Sequence, residues 1–91
     1  MELQKVRIWA DGRTEPPIAS GTEILLVQNG TVEVGRFVLE ADEYSDFFIE
    51  HPNNAEELIP DALAVVNQEL LKTDVSVVLI CPRSIADKMI W

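Results

Sequence analysis

The chain has 91 residues, 47% hydrophobic and 25% charged, with a net charge of −9. At this length folding hides only about 60–65% of the surface the unfolded chain exposes, so one domain spanning 1–91 is expected. The composition is too apolar for intrinsic disorder, and the acid excess repels polyanions, so direct nucleic-acid binding is not expected.

Leu3–Ala10 alternates, with Val6, Ile8 and Ala10 on one face and Lys5, Arg7 and Trp9 on the other, the period of a half-buried strand. From Asp11-Gly12 to Gly21 the chain is turn-rich, and Pro16-Pro17 cannot enter a sheet interior, so a loop is predicted. Asn29-Gly30 between Glu23–Gln28 and Thr31–Leu39 supplies the positive φ angles of a two-residue type I′ hairpin turn. That turn fixes a register in which Val27 faces Val32, Leu25 faces Val34, and Glu23 faces Arg36 as a cross-strand ion pair. The Leu25 and Val34 face is expected to meet the core. If the first strand adds beside the hairpin, Lys5 or Arg7 is placed to neutralise Glu33.

Tyr44–Glu50 reads as a short edge strand, with an ordered loop as the alternative. Asn54 and Glu57 have the spacing of a capping box, which opens a helix over about 55–72. Pro60 either kinks that helix or splits it. Ile59, Leu63, Val66 and Leu70 are expected to form its apolar stripe, with Ala62 beside it. Val75–Cys81 is nearly all apolar and β-branched and reads as a central strand. Ser84 with Asp87 is expected to cap a short C-terminal helix that buries Ile85 and Met89 and leaves Ile90 and Trp91 to dock or to meet a partner. The fold class is α+β: a mostly antiparallel sheet of four or five strands, one main helix across a face, and a short last helix.

Cys81 is the only cysteine, which excludes an internal disulfide and a multi-cysteine zinc site. The first residues lack a secretory pattern and no apolar run reaches membrane-spanning length, so a reduced, cytoplasmic setting is expected, without a membrane. His51 is the sole histidine and lies beside Pro52, with no Gly-x-Ser-x-Gly elbow near it. The acids of 40–46 fail the EF-hand spacing, and no glycine-rich phosphate cradle is present. No catalytic residue, metal or cofactor is assigned.

The charge itself is localised. Residues 37–71 hold nine of the sixteen carboxylates and neither Lys nor Arg, while the rest of the chain carries seven acids against seven bases. Glu40, Asp42, Glu43, Asp46 and Glu50 are interleaved with Tyr44, Phe47 and Phe48, and Glu56 and Glu57 follow. Rings that supply desolvated anchors inside an acidic rim suit a basic protein surface. These ten residues form the candidate partner-binding set; the bland reading is that Phe47, Phe48 and Ile49 pack inward and the acids are merely solvated.

Pro17-Ile18-Ala19-Ser20-Gly21-Thr22-Glu23-Ile24-Leu25-Leu26, then Gly30 and Val34-Gly35-Arg36-Phe37, resembles a small uncharacterised domain common in phages and prophages. That family joins a Pro-x-Asp-Gly-Thr-x-Ile-Leu hairpin entry to a later Gly-Arg-Trp. Here Ser20 stands for Asp and Phe37 for Trp, the spacing after Pro17 differs, and the Trp-rich ending is missing. The resemblance implies a hairpin and a mobile-element origin, and no activity. The resulting expectation is a non-enzymatic acidic protein-binding module, an inhibitor or adaptor of phage or prophage type docking on a basic, nucleic-acid-binding host protein. The alternatives are a subunit that self-associates, as a homodimer for instance, through apolar sheet edges and its C-terminus, and a small enzyme using His51 with nearby carboxylates.

Overall fold

A computed structural model describes residues 3–9, 11–39, 47–68 and 77–91. Its elements run β1 (Lys5–Ile8), β2 (Thr14–Glu15), β3 (Glu23–Gln28), β4 (Thr31–Leu39), β5 (Phe47–Glu50), α1 (Ala55–Gln68), β6 (Val77–Ile80) and α2 (Arg83–Ala86). The strands form one sheet in the order β2-β1-β6-β3-β4-β5, antiparallel at every pairing. The α+β class is as expected, but the sheet has six strands rather than four or five. The extra one is β2, two residues long inside the turn-rich segment read as loop, too short for any period to show.

The hairpin of β3 and β4 forms in the predicted register, with Val27 opposite Val32, Leu25 opposite Val34 and Glu23 opposite Arg36. Asn29 (φ 49°) and Gly30 (φ 81°) both adopt the positive angles that a type I′ turn demands. Leu25, Val27, Val32 and Val34 are buried and meet Leu58, Ala62 and Val66 of α1, forming the main core. Each of the Leu and Val side chains contributes about 1.5–3 kcal/mol through burial.

The helix is continuous through Pro60, which costs it the hydrogen bond to the Glu56 carbonyl but does not split it. Its described part ends at Gln68, so Leu70 and the rest of the predicted 55–72 span lie outside the described residues. The buried stripe is Leu58, Ala62 and Val66, so Ala62 and Val66 face the core as expected, while Leu63 and Val65 are partly buried beside them and Leu58 rather than Ile59 leads the row. The apolar residues are dense enough to allow either phase, and contact with β4 selects the one that starts at Leu58. Asn54 does not cap α1 with its side chain. Its Nδ2 donates to the Lys88 carbonyl at 2.9 Å and its Oδ1 accepts from the Ile90 N–H at 2.9 Å, so it clamps the C-terminal segment instead.

The sixth strand lies between β1 and β3, as a central strand should, with Leu79 buried on the helix side and Val78 half-buried on the other. The first strand therefore adds beside β6 and not beside the hairpin, and neither Lys5 nor Arg7 reaches Glu33, whose partner is His51. The short last helix is preceded by Pro82, which has no side-chain cap bond, so Ser84 is not its N-cap. Ile85 and Met89 are buried, as expected.

Register puts Val6, Val78, Ile24, Leu26, Phe37 and Ile49 on the face away from α1. Ile24 and Phe37 are nonetheless fully buried, because the sheet curls and β5 folds over this face. Gly35 permits the curl. A Cβ there would stand 2.6 Å from both the Glu50 carbonyl oxygen and Ile49 Cγ2, closer than real side chains approach. What stays open is a concave trough of about 290 Å³, lined by Val6, Ile8, Ile24, Leu26, Ile49 and Val78 together with Phe47 and Arg7.

Candidate functional site

Of the ten candidate residues, Glu40, Asp42, Glu43, Tyr44 and Asp46 lie outside the described residues. The other five sit on two consecutive elements, β5 and the first turn of α1. Phe47 turns to the concave face and is half-buried, its ring 5.6 Å from that of Phe37 at a tilt of 37°. Phe48 points to the helix side and is 44% exposed, so the rings divide: one packs, one is presented. The strand reading of this segment holds for Phe47–Glu50.

Glu50 is exposed and accepts a hydrogen bond from Arg36 Nη2 at 2.6 Å. Glu23 stands opposite Arg36 in register but does not pair with it, and lies 3.8 Å from Arg83. The sequence pairs Arg36 with Glu23 across the hairpin, whereas β4 has a neighbour on each side and the neighbour on β5 wins. On Arg36 rests the ring of Trp91, 3.6 Å from the guanidinium carbon. Asn53 Nδ2 donates to the Trp91 carbonyl at 3.2 Å, and the Asn53 N–H to that of Ile90 at 2.7 Å. Trp91 thus docks on its own chain, one of the two roles expected of it, and Ile90 is left 59% exposed. Nothing local in the sequence joins Arg36 to Trp91; the Asn53 and Asn54 clamp, together with the buried Ile85 and Met89, holds the last residues in place.

Glu56 and Glu57 are exposed and lie in the first turn of α1, where carboxylates are favoured by the partial positive charge of the helix N-terminus. Neither has an ionic partner among the described residues. Asp61, one turn on, meets Lys88 at 3.2 Å. Glu33 and His51 Nε2 are 3.2 Å apart on an exposed surface. Among the described residues around β5 and the start of α1, then, the five acids Glu33, Glu50, Glu56, Glu57 and Asp61 outnumber the two full cations Arg36 and Lys88.

The opposite margin of the sheet is its converse. Lys5, Arg7 and Arg13 are exposed around β1 and β2, against Asp11 and Glu15. Trp9 lies between two guanidinium groups, Arg7 at 5.0 Å and Arg13 at 5.4 Å from the ring centre. The backbone N–H of Arg13 and then its guanidinium hold the Asp11 carboxyl below the usual range. Among the described residues none of these cations pairs with an acid of the β5 end.

Cys81 is a buried free thiol whose pKa is pushed up to about 12, first by burial and then by Glu23, so it stays protonated and unreactive. Among the described residues no three His, Cys, Asp or Glu side chains converge as a metal site would require. Nor, among those residues, is any helix long and apolar enough to cross a membrane. No family model, curated protein or solved structure matches the chain.

Proposed function

We propose that the protein is a non-enzymatic binding module, of the inhibitor or adaptor kind, that docks a basic protein surface against the β5 end of its sheet. The observation that carries this reading is the pairing, at one margin, of an exposed ring with carboxylates that lack enough cations of their own. Phe48 supplies apolar area that a partner can desolvate, and Glu50, Glu56 and Glu57 supply a rim that orients and selects it. The acids of 40–46 add charge to the same stretch of sequence. A nucleic-acid-binding protein is the natural class of partner, since its basic surface already accepts anions in series.

The triple variant Glu50→Lys, Glu56→Lys, Glu57→Lys tests this. Wild-type protein used as bait at low salt should retain basic proteins that elute as salt is raised, because exposed charges are screened beyond about 10 Å at 0.1 M. The variant should lose them. Identical capture by both proteins across the salt series would refute the reading. Exposure of Phe48 and Ile90 also favours a second reading, self-association through apolar surface. It predicts a concentration-dependent dimer in sedimentation that Phe48→Ser or removal of Ile90 and Trp91 abolishes; a monomer at every concentration would remove it.

A further inference from the structure

We infer that Trp91 gives the docking surface its specificity: the open face of its indole ring receives an arginine of the basic partner, as the second layer of a stack whose first layer is Arg36. The inference rests on the docking role just proposed and adds which residue the partner must present.

Register places the ring among the candidate residues. Arg36 is opposite Glu50, so both side chains leave the sheet on the helix side, where Phe48, two residues before Glu50, also points. Trp91 lies over Arg36, with 3.6 Å between the ring centre and the guanidinium carbon. Asn53 bonds to the carbonyls of Ile90 and Trp91, and Asn54 to Lys88 and Ile90. The same two asparagines lead into the helix turn that carries Glu56 and Glu57. Among the described residues the large apolar side chains left exposed are Leu39, Phe48, Ile90 and Trp91, and all of them lie at this margin.

A cation over an indole uses one face of the ring and leaves the other. Trp91 is 41% exposed although Arg36 covers one face, and among the described residues no second cation lies over it. The molecule holds the completed form elsewhere. Trp9 has two guanidinium groups in contact, Arg7 at 5.0 Å and Arg13 at 5.4 Å, and is half-buried. At Trp91 the second place is open, and the surrounding charge suits a cation: Glu50 neutralises Arg36 at 2.6 Å, and Glu56 and Glu57 have no ionic partner among the described residues. Lysine would feel the same field, but its ammonium is compact and strongly hydrated, whereas the planar, weakly hydrated guanidinium stacks on an aromatic face. The carboxylates thus attract either cation and the ring prefers arginine. A second copy of this chain is the poorer occupant, because its Arg7 and Arg13 are already engaged with Trp9 and it brings a net charge of −9 against the same surface.

The test uses the intact protein and two synthetic probes, acetyl-Gly-Arg-Gly-Arg-Gly-amide and its counterpart with lysine in place of both arginines. Each is titrated at low salt while the indole N–H resonances of Trp9 and Trp91 and the backbone amides of Glu50, Glu56 and Glu57 are followed. The expected result is that the arginine peptide moves the Trp91 indole and not that of Trp9, and binds about two- to fivefold more tightly than the lysine peptide, the scale of an exposed cation–π contact. Trp91→Leu should bring the two peptides to equal affinity while keeping that of the lysine peptide. The wild-type comparison decides by itself if this variant unsettles the C-terminal clamp. Equal affinity of the two peptides for the wild type, or a Trp91 indole that stays still while the three amides move, would overturn the arginine stack and leave the acidic docking surface standing. No movement of any of these resonances with either peptide at millimolar concentration would overturn both.

Discussion

The two margins of the sheet are built from the same kind of element, an edge strand with an aromatic residue and a guanidinium nearby, yet they are finished in opposite ways. At the β1–β2 margin Trp9 is enclosed between Arg7 and Arg13, Asp11 neutralises Arg13, and two prolines end the strand. At the β5 margin Arg36 is spent internally on Glu50 and Trp91, while Phe48 stays exposed and Glu56 and Glu57 have no described counter-ion. The contrast therefore lies in the side chains the two margins present: guanidinium groups around Trp9 at one, and carboxylates beside the exposed Phe48 at the other.

The comparison can be broken or sharpened by substitutions that act on one margin alone. The largest effect is expected from Phe37→Ala. This fully buried ring supports β5 from beneath, and its loss should cost about 3–5 kcal/mol in urea unfolding. The backbone amides of β5 should lose hydrogen-exchange protection before those of β1. Next comes Gly35→Ala, whose Cβ would meet the Glu50 carbonyl at 2.6 Å; a loss of about 1–3 kcal/mol is expected, and an unchanged urea midpoint would show that β5 does not need the close approach. At the finished margin Trp9→Ala should cost only about 0.5–1 kcal/mol for the stacked cations, beyond its apolar burial, and should leave β5 protection untouched.

The last effect concerns Cys81, next to the central strand and between the two margins, and it is absent at neutral pH. Because folding raises its pKa above the ordinary 9.0, its contribution is complete below that pH and is lost as pH rises toward about 12. Wild-type stability should therefore fall more steeply than that of Cys81→Ala when unfolding is followed from pH 8 to pH 11. Parallel curves would mean that the thiol ionises as freely in the folded protein as in the unfolded one.

How legible all this was in the sequence follows from the range of the interactions. The hairpin was fixed by Asn29-Gly30 and its register by counting, because a two-residue turn leaves no freedom. The central strand is visible in the run Val75–Cys81, of which Val77–Ile80 is strand and residues 75–76 lie outside the described residues: a run of β-branched and apolar residues suits an interior position. The helix is legible, with Ala62 and Val66 on its buried side, but its leading residue is not, since Ile59 and Leu58 are equally apolar and contact with β4 decides between them. The sequence pairs Arg36 with Glu23 because the hairpin turn fixes the register of that one neighbouring strand, and β5, four residues long, brings the competitor. Trp91 and the two asparagines that fix it are almost forty residues apart in sequence, beyond the reach of any local pattern. Of the binding set, Phe48, Glu50, Glu56 and Glu57 are found on the surface, and Phe47 is the ring that packs.

The most direct test of the central claim replaces Phe48, and in a separate protein Arg13, with the photoreactive residue p-benzoylphenylalanine and irradiates each in the cells that make the protein. The account predicts a discrete covalent adduct with a basic protein from position 48, diminished by the Glu50→Lys, Glu56→Lys, Glu57→Lys background, and none from position 13. An adduct from position 13 with none from position 48 would place the partner at the other margin and contradict it.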